Sequence, residues 1–183
     1  MINFQFLKNR GITAGFTLIE MLVYIALVTI IVSVIVAFSF WMIQISAKAK
    51  VNSEVLANAR RAMEIMTYEI RKSKSVYAPT SVFDKNPGQL GLQQTAAAGS
   101  EETTTFADFF ICNQALCLKR EKTPPIALTG SSVRVTNFLF NRRLNSLNAE
   151  SIRITLKVES LASNKPEYTN SIELTGAANL RSY

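Results

Sequence analysis

Charged and apolar residues are segregated along this chain. From Met21 to Ala47 the sequence reads MLVYIALVTIIVSVIVAFSFWMIQISA, with no Asp, Glu, Lys or Arg. A helix over that run rises about 40 Å, against roughly 30 Å of bilayer hydrocarbon. The run is long enough to cross a membrane. Helical spacing then continues in an amphipathic form. Val51, Val55, Ala59, Ala62, Met63, Met66 and Ile70 recur at three- and four-residue steps. Lys48, Lys50, Asn52, Glu54, Arg60, Arg61, Glu64, Arg71 and Lys72 fall mostly off that stripe. No Gly or Pro interrupts this stretch, so Phe16 to about Val76 is expected to be one helix. Pro79 ends it, because the residue before a proline is pushed out of the helical region.

Beyond Pro79 the period shortens. Pro87-Gly88 is a turn signal, and Gln89–Gln93 is a candidate first strand. The small polar stretch from Gln94 to Glu102 is expected to be a loop. Thr103–Cys112 and Cys117–Lys122 predict a hairpin, broken by Thr123-Pro124-Pro125. Val133–Leu144 predicts a strand whose phase slips between Val135 and Phe138, which places a bulge near Asn137. Ser151–Ser160 alternates most clearly, with Ile152, Ile154, Leu156 and Val158 inward and Arg153, Thr155, Lys157 and Glu159 outward. Ser163-Asn164-Lys165-Pro166 is a turn. Tyr168, Asn170, Ile172 and Leu174 continue the alternation, and Gly176–Tyr183 is expected to fray. The prediction is an α+β chain: a long N-terminal helix, transmembrane then amphipathic, packed on one antiparallel sheet.

Composition narrows the chemistry. The 183 residues carry a formal net charge of +7 and contain no histidine. Absence of histidine removes the commonest general base and metal ligand, so catalysis is not expected. No phosphate loop, dinucleotide fingerprint or nucleophile–base pair appears. Glu101, Glu102, Asp108 and Glu121 lack the regular spacing of a calcium loop, and no cofactor is expected. Lys119-Arg120, Lys122 and Arg142-Arg143 could form a basic patch for DNA, but few aromatics that could stack bases are interleaved with them. A solvated surface is the better reading, with nucleic acid an unexpected partner. Phe38, Phe40 and Trp41 near the far end of the apolar run fit either an interfacial belt or subunit packing.

The head of the apolar run is its most specific part. Lys8 and Arg10 precede Gly15-Phe16-Thr17-Leu18-Ile19-Glu20, and Glu20 is an acid placed at the start of a membrane-length segment. This arrangement resembles the type IV prepilin signal: a short basic leader, a glycine, then Phe-Thr-Leu-Ile-Glu opening a long apolar helix. The resemblance covers about the first 45 residues. It implies a pilin-like fold and a cut between Gly15 and Phe16 by a prepilin peptidase, which then N-methylates Phe16. It implies that Glu20 pairs with the Phe16 amine of a neighbouring subunit during assembly, with Thr17, Leu18 and Ile19 completing the segment. Solvation of Glu20 at headgroup level is the alternative. The chain so divides into a leader (1–15), a transmembrane half-helix (16–47), an amphipathic half-helix (48–76) and an exported sheet domain (77–183).

The implied place is the inner membrane: a single pass with a cytoplasmic N-terminus, followed by incorporation into a pilus or a type II secretion pseudopilus. The implied partners are the peptidase, other pilin or pseudopilin subunits, the inner-membrane assembly platform and the lipid bilayer. Many major pilins carry Gly and Pro inside this helix and this chain does not, which points to a minor subunit, with priming or capping of a filament tip as its expected role. The segments Ile126–Gly130 and Val133–Phe140, with the helix end from Ala59 to Arg71, are similar to J-class minor pseudopilins and PilW-type minor pilins. A DNA-binding minor pilin of a competence system is the alternative. Export would also favour a disulfide between Cys112 and Cys117, with the intervening four-residue turn setting them opposite each other; two free thiols are the other option.

Overall fold

The computed structural model describes residues 15–96, 103–144, 150–161 and 169–180. Two compact units result, divided between Ile45 and Ser46. Helix α1, Leu18–Lys72, is unbroken over 55 residues, as the absence of Gly and Pro requires. In the first unit its side chains are exposed, and the helix is long and apolar enough to cross a membrane. The hydroxyls of Thr29, Ser33 and Ser39 there donate to the carbonyls of Ala26, Ile30 and Ile35 at 2.7–2.8 Å. These three hydroxyls are thereby satisfied within the helix, as suits an apolar setting.

In the second unit α1 buries the expected stripe. Val55, Ala59, Ala62, Met66 and Ile70 are fully buried, with Val51 and Met63 packed at the margin. The helix ends four residues before the expected limit. Ser73 Oγ donates back to the Glu69 carbonyl at 2.6 Å, and Lys74 N already donates to Gln93 O at 2.9 Å. Ser75–Val76 is therefore a short strand, β1, rather than helix. A single 3-10 turn, Ala78–Thr80, follows around Pro79.

The strands form two antiparallel sheets, where one was expected. The first has the order β1-β2-β3-β4-β5, with β2 Leu90–Thr95, β3 Thr104–Cys112, β4 Ala115–Arg120 and β5 Ile126–Ala127. The second has the order β6-β7-β8, with β6 Val133–Leu144, β7 Glu150–Ser160 and β8 Ser171–Asn179. Val135 N reaches Gln114 O at 2.8 Å between them. The phase slip in β6 is a register shift between Val135 and Asn137, as expected. On β7, Ile152, Ile154, Leu156 and Val158 are fully buried. Thr95 and Gln94 belong to β2 rather than to the loop, whose remainder lies largely outside the described residues, as do the Ser163–Pro166 turn and Tyr168. Of the expected frayed tail, Gly176 to Asn179 lie instead in β8 and Ala178 and Leu180 are buried, while 181–183 lie outside the described residues. A Cβ on Gly176 would stand 2.6 Å from Met63 Cε, the far end of a flexible side chain that could move aside.

The β3–β4 hairpin is tighter than the expected four-residue turn. Cys112 pairs with Ala115, leaving Asn113 and Gln114 as a two-residue loop with φ of 48° and 67°. Two successive positive φ values match the type I′ turn that suits strand twist. Cys117 therefore faces Phe110, and Cys112 is its diagonal neighbour on the same face. The disulfide forms across that diagonal, with Cα atoms 5.9 Å apart. Its closed loop is short, so replacing both cysteines by serine is expected to cost about 2 kcal/mol. Urea denaturation of the oxidised chain and of the double variant checks this.

Candidate processing and assembly site

Gly15, Phe16 and Thr17 are not helical, and α1 starts at Leu18. The local reason is Thr17. Its carbonyl accepts from Met21 N at 3.2 Å, and its Oγ1 accepts from Glu20 N at 3.3 Å. That makes Thr17 the N-cap and Glu20 the third helical residue, the Thr-x-x-Glu pattern of a capping box. One of the helix's orphan N–H groups is satisfied, and the Glu20 carboxylate sits at the positive end of the helix dipole. The capping pattern was available in the sequence as Thr17-Leu18-Ile19-Glu20 but was overlooked beside the resemblance.

The Gly15–Phe16 bond consequently lies just outside the helix, with Phe16 71% exposed. A Cβ on Gly15 would meet nothing within 4 Å. Nothing in the described residues requires glycine there. Leu18 and Ile19 are exposed apolar residues, and the Glu20 carboxylate has no ion-pair partner among the described residues. Lys8 and Arg10 lie outside the described residues. Phe38 and Trp41 lie tilted against each other at a 6.0 Å centroid distance and are both exposed, as is Phe40.

The other candidates are distributed differently. Arg120 Nη2 holds the buried Glu69 carboxylate at 2.6 Å, and Arg142 pairs with Glu150. At least two of the five cations of the supposed patch of Lys119, Arg120, Lys122, Arg142 and Arg143 are thus paired with carboxylates. Asp108 accepts from Thr80 Oγ1 at 3.1 Å, while Glu101 and Glu102 lie outside the described residues. The buried Glu69 was missed, although its place three residues beyond Met66 puts it on the apolar stripe.

Comparison with known proteins bears on the N-terminal segment. No curated protein and no solved structure matches the chain. Residues 10–36 match the family model of the prokaryotic N-terminal methylation motif. That segment contains the capped helix start, the exposed Gly15–Phe16 bond and the first half of the apolar run. The chain therefore carries the N-terminal methylation motif typical of type IV pilin and pseudopilin precursors, on a long apolar helix followed by antiparallel sheets.

Proposed function

We propose that the chain is a minor pilin or pseudopilin, cut between Gly15 and Phe16, N-methylated on Phe16, and assembled near the tip of a type IV pilus or type II secretion pseudopilus. The observation that carries this reading is the junction itself: the Gly15–Phe16 bond held outside a capped helix, and Glu20, four residues beyond Phe16, without an ion-pair partner among the described residues. Cleavage creates an amine on Phe16, the nearest kind of cation for that carboxylate. In the bilayer the apolar helix contacts lipid; in a filament it contacts neighbouring helices. That exchange gains little hydrophobic energy, so close helix packing and the Glu20 ion pair set the register. The unbroken helix, without Gly or Pro, favours a minor subunit, and catalysis has no part in the role.

Intact mass and N-terminal sequencing of the protein from its own membrane test the processing step. A chain starting at N-methylated Phe16 supports the reading. A chain starting at Met1, in cells that process other prepilins, makes this a plain membrane anchor. Glu20→Ala separates cleavage from assembly. This variant is expected to be cut normally but to be lost from sheared filaments by about tenfold or more, a coupling of at least 1.4 kcal/mol; normal incorporation would remove Glu20 from the mechanism.

A further inference from the structure

Among the described residues the two sheets present four outer edges, and three of them are closed or short. β1 and β5 are two residues each, and β5 follows Pro124-Pro125. The outer edge of β6 is covered by the segment before β2. Gly88 N donates to Phe138 O at 2.7 Å, Asp84 N to Phe140 O at 2.9 Å, and Phe138 N donates to Asn86 Oδ1 at 3.1 Å. These are the usual ways in which sheets avoid unwanted pairing.

β8 is different. It runs nine residues in continuous register with β7, with no bulge, no proline and no lysine. Ser160 N donates to Asn170 O at 2.9 Å, and Leu180 N to Glu150 O at 3.0 Å. Those bonds assign the even-numbered residues of β8 to the ladder with β7. The backbone groups of Ser171, Glu173, Thr175, Ala177 and Asn179 must then point to the open side, where no described strand pairs with them. The core row is also left unfinished: Ile152 to Val158 on β7 are fully buried, yet Ile172 and Leu174 on β8 are only half-buried.

A groove of about 750 Å³ opens at the C-terminal part of this edge, between Ala177, Asn179 and Leu180 of the strand region and Tyr68, Arg71 and Lys72 of α1. Arg71 and Lys72 are exposed and have no carboxylate partner among the described residues. We propose that the β8 edge is a strand-addition site for an extended, acidic segment of a partner polypeptide. Backbone bonds to the five odd-numbered residues would supply affinity, and acids on the helix-facing side of the added strand would meet Arg71 and Lys72. Charge disfavours a second copy of this chain as the occupant. Antiparallel β8–β8 pairing would set each Arg71 and Lys72 beside the start of the other copy's β8, whose one acid, Glu173, lies on the exposed face with the other odd-numbered residues, so the basic pair would stay unmatched. The edge serves an anchored monomer as well as a filament subunit, so it stands apart from the assembly reading.

The test uses the full chain in detergent micelles and two blocked peptides of about ten residues, one alternating Glu and Val, the other Lys and Val. The acidic peptide is expected to bind at least about tenfold more tightly and to slow hydrogen exchange at the amides of Glu173, Thr175 and Ala177. Thr175→Pro removes an outward N–H without touching the β7 ladder, as prolines on edge strands do. It should abolish binding while leaving the urea midpoint near that of the unaltered chain. The double variant Arg71→Glu, Lys72→Glu should erase or invert the peptide preference. Equal binding of both peptides, or unprotected edge amides at millimolar peptide, would overturn the proposal. So would a dimer in analytical ultracentrifugation that Thr175→Pro dissolves, because the edge would then serve self-pairing.

Discussion

Arg120→Ala is expected to destabilise the sheet-bearing unit by about 3 kcal/mol, the lower end for breaking a buried ion pair. Glu69 lies on the buried stripe of α1 with 2% of its surface exposed. Its two carboxylate oxygens have separate partners: Oε1 accepts from Arg120 Nη2 at 2.6 Å, and Oε2 accepts from Gln94 Nε2 at 2.7 Å. Gln94 Nε2 also reaches Ser73 Oγ at 3.2 Å, and Ser73 Oγ donates to the Glu69 carbonyl at 2.6 Å. The network thus fastens the end of α1 to β2 and β4. Removing the guanidinium leaves a buried carboxylate with a neutral partner alone, and the desolvation cost is no longer offset. The Arg120 side chain is itself 49% exposed, so water can enter where it stood, which holds the loss to the lower end.

The sign of the effect is tested by a second substitution. Glu69→Leu on the Arg120→Ala background removes the stranded charge and fills an apolar position, and Gln94 keeps Ser73 Oγ as an acceptor. The double variant is expected to recover to within about 1 kcal/mol of the original chain. Urea midpoints followed by far-UV circular dichroism give both values. If Arg120→Ala alone lies within about 1 kcal/mol of the original, Glu69 is hydrated and the pair does not hold the helix end.

What the sequence disclosed follows from how local each signal is. The stripe from Val55 to Ile70 and the alternation from Ile152 to Val158 each depend on one face of one element, and the structure buries the residues expected. The bulge beside Asn137 was legible because a phase slip in β6 has only one economical explanation. Features that depend on two elements were not legible. Whether eight strands close into one sheet or two is decided by the edges: loop 82–88 covers β6, while β5 stops after two residues. The end of α1 was misplaced because pairing of Lys74 and Ser75 with β2 competes with helix continuation, and Pro79 marked only the latest possible stop. The hairpin turn was misjudged because Asn113 and Gln114 take left-handed backbone angles that lack the usual Asn-Gly signature. The methylation motif was legible because it is local, and the Thr17 cap lay in the same few residues without being read from them.

Gly15→Val is expected to leave the whole population unprocessed, an all-or-none effect unlike any stability change predicted above. The variant should fold normally, because a Cβ at this position meets no atom within 4 Å and the helix begins three residues later. The obstacle is external: a peptidase that cuts here must bring its own groups close to the backbone, and a branched side chain blocks that approach. The released amine would then never form, and Glu20 would remain without its partner. Intact mass of the variant should match the chain from Met1, with no methylated Phe16 species. Membrane extracts should contain it at normal levels, and sheared filaments should lack it. Thr17→Val is the control for helix capping. Loss of the Oγ1 bond to Glu20 N costs about 1 kcal/mol at the helix start but leaves Gly15 intact, so cleavage continues. If Gly15→Val is still cut at Phe16, the glycine reports only a linker, and recognition resides in the capped apolar helix.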